Sequence, residues 1–68
     1  MSENLEICGP VTYWDVTLED GTHLNLTAHG YSETESTYDF EFLLEGNPRS
    51  RLTIAKIPKA TVQNILGG

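Results

Sequence analysis

The strongest constraint on the fold is a stretch in which apolar and polar residues alternate on both sides of a turn, VTYWDVTLEDGTHLNLTAHG. Strict alternation is typical of strands that bury one face and expose the other. The apolar positions are Trp14, Val16 and Leu18 before the turn and Leu24, Leu26 and Ala28 after it. The sequence therefore predicts a β-hairpin.

The length of the turn decides which residues of this hairpin face each other. A two-residue turn would set apolar residues opposite polar ones, because a slip of one residue exchanges the faces of a strand. A three-residue loop over residues 19–21 sets Val16 opposite Leu24 and aligns the apolar sets. This kind of loop closes on a left-handed glycine, so we expect Gly21 to have a positive φ.

Strand patterns continue through the middle of the chain. Four large apolar side chains share one face of STYDFEFLLEG, which makes this segment the expected central strand. The following segment, RLTIAKI, is predicted to be a strand with Leu52 and Ile54 facing inward. The residues HGYSETES are predicted to form a long polar loop, and LEI near the start a short first strand.

The last segment, PKATVQNILGG, allows two interpretations. Val62, Ile65 and Leu66 have helical spacing, and Pro58 suits the start of a helix, which favours a short helix. Several of these residues are mediocre helix formers. The alternative is therefore one tight helical turn after Pro58 followed by a short strand.

These patterns together define the expected fold class. We expect a single small domain over residues 1–68 that is mainly β, with four to five strands and a short C-terminal helix or helical turn. The strands would form a small antiparallel sheet or an SH3-like barrel. A chain of this length has a small core and a net stability of only ~3–5 kcal/mol. A homodimer is one way to stabilise such a domain further, and the sequence is compatible with it.

The net charge of −6 is unevenly distributed along the chain. All ten acidic residues precede Gly46, whereas all four Lys and Arg residues lie between Arg49 and Lys59. One interpretation is internal pairing, in which a basic C-terminal strand lies against an acidic neighbour. The other is an acidic face that docks a basic partner. Nucleic-acid binding is disfavoured because the acidic residues would repel phosphates.

The expected function is that of a small acidic protein-binding module, of the adaptor or inhibitor type, without catalysis. Its partner would be another protein with a basic surface, attracted electrostatically and then held by buried apolar anchors. The predicted contact residues combine outward-facing acids with two such anchors: Tyr13, Asp15, Asp39, Glu41, Leu43 and Glu45.

Catalytic, metal and cofactor sites are not predicted. Cys8 is the single cysteine and has no basic neighbour in sequence, so we expect a buried or half-buried, inert thiol. His23 and His29 lie about 20 Å apart along an extended strand, too far to share a metal. Asp15 and Thr17 are expected cross-strand neighbours of His23. The chain shows neither an apolar run of membrane-spanning length nor a signal peptide, so we expect a cytoplasmic location.

The final Gly67-Gly68 suggests an alternative function. Ubiquitin-like and sulfur-carrier proteins are activated through a C-terminal diglycine, and their fold has a helix that crosses the sheet after the first hairpin. In this chain the corresponding segment alternates like a strand. A helix over residues 30–45 would favour the carrier, whereas strands there would leave Gly67-Gly68 as an ordinary end.

Overall fold

The computed structural model describes residues 6–68, and this part of the chain is almost entirely β-structure. Its elements are β1 (Thr12–Leu18), β2 (His23–Ala28), β3 (Gly30–Glu33), β4 (Thr37–Leu44), β5 (Ser50–Pro58), a 3₁₀ turn (Lys59–Thr61) and β6 (Val62–Gly67). The strands form two three-stranded antiparallel sheets: the first sheet, in the order β2-β1-β6, and the second sheet, in the order β3-β4-β5. The prediction of a mainly β fold is confirmed, and in the described residues the sheets do not close into a barrel.

The first hairpin has the predicted register and turn. Val16 pairs with Leu24, and the N–H of Gly21 donates to the carbonyl of Leu18 at 2.9 Å. Gly21 has a φ of +90°, the left-handed conformation that this turn requires of a glycine. The prediction of a three-residue loop is therefore confirmed.

One bent stretch of chain supplies a strand to each sheet. His29 alone separates β2 from β3, and β3 pairs with β4 so that Tyr31 lies opposite Phe40. The prediction of a long loop over HGYSETES is therefore wrong in its first half. The sequence signal is weak there because Tyr31 is the only large apolar residue of β3.

The C-terminal segment forms a 3₁₀ turn and then a strand, so the predicted short helix is wrong and the alternative is confirmed. A β-bulge explains why the apolar residues have helical spacing. The ladder with β1 shifts by one residue at Gln63. Because an extra residue changes the spacing on one face from two to three, Val62 and Ile65 both pack against the core.

A second bulge changes which residues of β5 face inward after Leu52. The ladder between β4 and β5 shifts at Ile54. Beyond the shift, Ala55 and Ile57 pack in the core. Leu52 pairs with Phe42 and shares its face of the sheet, as predicted, although it is 42% exposed. Ile54, which was also expected to face inward, is the extra residue of the bulge and is 39% exposed.

The core lies between the inner faces of the two sheets. Its buried side chains are Val16 and Ala28 from the first sheet and Phe40 and Ile57 from the second. Phe40 is fully buried and belongs to β4, which is the central strand of its sheet as predicted. Because the sheets meet through their inner faces, their outward-facing side chains lie on separate surfaces.

The beginning of the described chain extends the second sheet. Ile7 forms an antiparallel bridge with Leu44, in the segment predicted as a short first strand. Leu5, the first residue of that predicted strand, lies outside the described residues. Cys8 follows the bridge and is buried, as expected for the single thiol.

Candidate functional site

The six predicted contact residues are divided between the two sheets. Those in β1 are Tyr13 and Asp15, those in β4 are Asp39, Glu41 and Leu43, and Glu45 directly follows β4. Because β1 and β4 belong to different sheets, a single acidic face does not form. Alternation along a strand indicates which residues share its face, but it does not indicate which sheet the strand joins.

The carboxylates of β4 are paired inside the second sheet. Arg51 lies 3.3 Å from Glu41, and Lys56 lies 4.0 Å from Asp39. Both carboxylate side chains are only 16% exposed. Thr37 also donates its hydroxyl to Asp39 at 2.7 Å. The prediction that a basic C-terminal strand lies against an acidic neighbour is confirmed.

The two remaining cations pair with carboxylates beside the same sheet. Arg49 lies 3.9 Å from Glu45, and Lys59 contacts Glu33 of β3. The hydrogen bond to Glu33 raises the pKa of Lys59 above its ordinary value, although desolvation of the ammonium opposes this shift. All four Lys and Arg residues of the chain therefore have a carboxylate partner in or next to the second sheet.

The outer face of the first sheet has a different character. Among the described residues, β1, β2 and β6 contain no Lys or Arg. A shallow groove of about 380 Å³ crosses this face, and its polar lining includes Asp15, Asn25 and Thr27. Tyr13 and Leu66 also line the groove, and they are 72% and 60% exposed. This face therefore offers two apolar side chains around an acidic group.

Asp15 is held by its cross-strand neighbours but remains accessible. Its Oδ1 lies 3.1 Å from Nδ1 of His23, and Oγ1 of Thr17 lies 3.3 Å from the same nitrogen. Both predicted neighbours of His23 are thus confirmed. The side chain of Asp15 is 42% exposed. Since such surface contacts are weak, an incoming cation can compete for this carboxylate.

Three residues with side chains on this face line the groove but were not among the predicted contact residues. Leu66 was grouped with the apolar side of a helix, but as a strand residue paired with Asp15 it lies on the outer face. Asn25 and Thr27 pair with Asp15 and Tyr13, so the predicted hairpin register contained the signal for both of them.

Gly67 belongs to the first sheet and is covered by an aromatic ring. The indole of Trp14 lies so close that a Cβ at Gly67 would be 2.5 Å from Cζ3 of the ring. The N–H of Gly68 donates to the carbonyl of Tyr13 at 3.1 Å. Residues 30–45 form strands β3 and β4 and no crossing helix. None of these contacts favours the carrier function.

His29 connects three segments at the junction of the sheets. The N–H of Leu43 donates to Nδ1 at 2.9 Å, so Nε2 carries the ring proton and donates to the carbonyl of Cys8 at 2.8 Å. The ring of Phe42 lies edge-on to the imidazole at 5.9 Å. His29 is therefore committed to internal contacts, and Leu43 is half-buried beside it.

Within residues 6–68, no three His, Cys, Asp or Glu side chains come together in a way that would hold a metal ion. In the same range no helix has both the length and the apolar character needed to cross a membrane. The sequence matches no protein-family model, and neither a curated protein nor a solved structure matches it significantly.

Proposed function

We propose that this protein is a small binding module that docks a basic segment of another protein and performs no catalysis. The observation that supports this most directly is the outer face of the first sheet. There Tyr13 and Leu66 are exposed around Asp15 along a groove, and no Lys or Arg of β1, β2 or β6 neutralises the carboxylate. The partner surface that complements such a face is cationic with an apolar component.

We also infer that the two sheets represent an SH3-like arrangement. Two features support this: the bent stretch that supplies β2 to one sheet and β3 to the other, and the 3₁₀ turn that connects β5 to β6. Small β-folds of this architecture host many unrelated functions, so the proposed function depends on the site and not on the fold.

Long-range attraction would come from the acidic end of the first sheet. Asp15 lies in β1, and Glu19 and Asp20 follow in its turn. The pKa of Asp20 is lowered by the side chain of Thr22 and then by the Thr22 N–H, which donates to Oδ1 at 2.9 Å. These carboxylates would accelerate encounter with a cationic partner, and salt would slow it.

Short-range affinity would come from the exposed apolar side chains. Tyr13 offers a large ring with a polar end, which is typical of residues that dominate binding energy. Leu66 provides a surface along which the aliphatic stem of a lysine or arginine can lie. Asp39 and Glu41 are less suited to the contact, because each would first have to give up a cation within its own sheet.

The proposal is tested by selecting displayed random peptides against the immobilised full chain. We expect the selected peptides to be rich in Lys and Arg. In fluorescence anisotropy, Asp15→Asn and Tyr13→Ala should each weaken binding of a selected peptide by about tenfold or more, equivalent to about 1.4 kcal/mol. Asp39→Asn is the matched control, because it makes the same substitution on the ion-paired sheet, and it should leave the affinity unchanged.

Circular dichroism would establish that all three variants remain folded. Peptides without cationic enrichment would contradict the proposal. So would binding that is insensitive to Asp15 and Tyr13, or binding that Asp39→Asn weakens as strongly as Asp15→Asn does.

A further inference from the structure

We propose that the basic segment binds in extended form and adds a strand to the free edge of β6, next to the groove. This inference rests on the proposed function and specifies the conformation and position of the partner. Strand addition to an exposed sheet edge supplies affinity through backbone hydrogen bonds, while side chains supply selectivity.

The register of β1 shows which of its backbone groups point toward β6. The N–H of Leu18 donates to Thr22 across the first hairpin, and the carbonyl of Tyr13 accepts from Gly68 on the other side. Backbone groups of successive residues in an antiparallel strand point alternately to the two neighbours. Even-numbered residues of β1 therefore face β2, and odd-numbered residues face β6.

The same alternation identifies the unpaired groups of β6. Asn64 and Leu66 pair with odd-numbered residues of β1, so their N–H and C=O groups are used within the sheet. The corresponding groups of Ile65 and Gly67 point to the opposite edge. No strand within residues 6–68 pairs with that edge. Two donors and two acceptors are thus available for an added strand.

The edge of β6 lacks the features that protect other edges of the molecule. β5 carries Arg51, Lys56 and Pro58, and charged residues and proline discourage strand pairing at an edge. β3 is only four residues long. β6 contains neither a charged residue nor a proline. The edge of β2 is also uncharged, but its outward-facing groove residues, Asn25 and Thr27, are polar, whereas β6 presents Leu66.

Charge explains why the added strand should be basic and should not be a second copy of this chain. Two copies would each bring a net charge of −6 to the contact. An added strand would lie about 10 Å from β1, two strand spacings away. A lysine on its outer face can extend over Leu66 toward Asp15, which is paired with Leu66.

The end of β6 is held in place before a partner arrives. Trp14 covers Gly67, and its Nε1 donates to the carbonyl of Ala28 at 3.1 Å. The indole also packs edge-on against Tyr31 and Phe40, with ring centroids 5.4 and 5.8 Å away. A rigid edge reduces the entropy lost on binding.

Amide exchange followed by NMR on the full chain tests this inference. The probe is a short acetylated peptide of alternating lysine and valine. At saturating peptide we expect exchange of the Ile65 and Gly67 amides to slow by at least about tenfold, as for amides that gain a hydrogen bond. The amides of Asn64 and Leu66 are internal controls, because they already bond to β1.

Two peptide controls separate backbone pairing from charge. A peptide of alternating glutamate and valine should not bind. The lysine peptide with every amide N-methylated keeps its charge, but its methyl groups obstruct the approach of the two backbones and it cannot donate to the carbonyls of Ile65 and Gly67. It should therefore not pair as a strand and should give no protection of the Ile65 and Gly67 amides.

Each of the other possible results would overturn a different part of the two proposals. Asp15-dependent binding of the lysine peptide without protection of Ile65 and Gly67 would overturn strand addition and leave the proposed function standing. Protection at Asn25 and Thr27 instead would place the strand on β2 and overturn the assignment to β6. Protection that increases with protein concentration in the absence of peptide would identify a second copy as the occupant. No binding of the lysine peptide at millimolar concentration would overturn both proposals.

Discussion

The two sheets share one core but differ in whether their carboxylates are paired with Lys or Arg. The second sheet neutralises its carboxylates internally, with Glu41 facing Arg51 and Asp39 facing Lys56. The first sheet has no Lys or Arg in its strands, and Asp15 has only His23 beside it. The hairpin of β1 and β2 therefore carries three carboxylates, Asp15, Glu19 and Asp20, and no Lys or Arg.

This difference separates a surface that stabilises the fold from one that is available for binding. Carboxylates that are only 16% exposed have lost much of their hydration, so they need the nearby cations and hydroxyl donors. Asp15 is 42% exposed and has kept more of its hydration. A partner can thus engage Asp15 at a smaller cost than it would meet at Asp39 or Glu41.

The largest expected effect comes from breaking the core that the sheets share. Phe40→Ala removes a fully buried ring that contacts Trp14 of the first sheet. A loss of about 3–5 kcal/mol is typical of such a truncation. Because this equals the whole stability expected of so small a domain, ~3–5 kcal/mol, the variant should be unfolded.

Circular dichroism and amide dispersion measure this outcome. Tyr13→Ala is the control, since Tyr13 is 72% exposed and its removal should change the unfolding free energy by no more than about 0.5 kcal/mol. If the first sheet kept its amide dispersion in Phe40→Ala while the second lost it, the two sheets would not depend on one core.

The second-largest loss of stability is expected from a substitution within the first sheet. Gly67→Ala would place a Cβ within 2.5–2.9 Å of three atoms of the Trp14 ring. Overpacking of this kind costs about 1–3 kcal/mol, and the displaced indole should change its fluorescence. Gly30→Ala is the matched control, because no atom lies within 4 Å of a Cβ at that position. Equal stability of the two variants in urea unfolding would contradict the packing of Trp14 over Gly67.

Much of the fold could be predicted from the sequence because local rules determine it. The register of the first hairpin follows from alternation and from the Asp20-Gly21 turn chemistry, and the structure has that register. The bulges at Gln63 and Ile54 could not be predicted in this way. An extra residue in a strand produces the same apolar spacing as a helical turn, so the pattern over residues 62–66 is ambiguous by itself.

The candidate site was less predictable because it depends on the assembly of strands. Tyr13 and Asp15 were identified from their outward positions, and they line the groove. Leu66 was missed because its role requires β6 to be a strand beside β1. Asp39 and Glu41 have the same outward pattern as Asp15, and only the position of β5 distinguishes them.

The junction between the sheets gives a smaller, more local effect. His29→Ala removes the acceptor of the Leu43 N–H and the donor to the Cys8 carbonyl. The loss of these two bonds should cost about 1–2 kcal/mol, because water can replace them only partly. His23→Ala is the matched control and should cost less than about 0.5 kcal/mol, since its contacts are at the surface. Urea unfolding in which the two variants are equally stable would contradict a stabilising role for the His29 bonds to Leu43 and Cys8.

The smallest expected effect lies in the turn of the first sheet. Contact with Thr22, by its side chain first and then by its backbone N–H, lowers the pKa of Asp20 below the ordinary 3.8. Because the folded carboxylate has the lower pKa, its stabilising contribution is present above the ordinary value and is lost as the pH falls through the folded pKa. Asp20→Asn should therefore lose less stability than the unmodified chain when urea unfolding is compared at neutral pH and at strongly acidic pH.

A direct titration separates this local effect from the general charge of the molecule. Thr22→Ala keeps the backbone donor at 2.9 Å but removes the hydroxyl, so the pKa of Asp20 measured by NMR should rise toward 3.8 and remain below it. An Asp20 that titrates at 3.8 in the unmodified chain would contradict the turn contact. The carboxylate of Asp20 would then have no local hydrogen bond that stabilises its charge. It would differ even more from the carboxylates of the second sheet, which pair with cations.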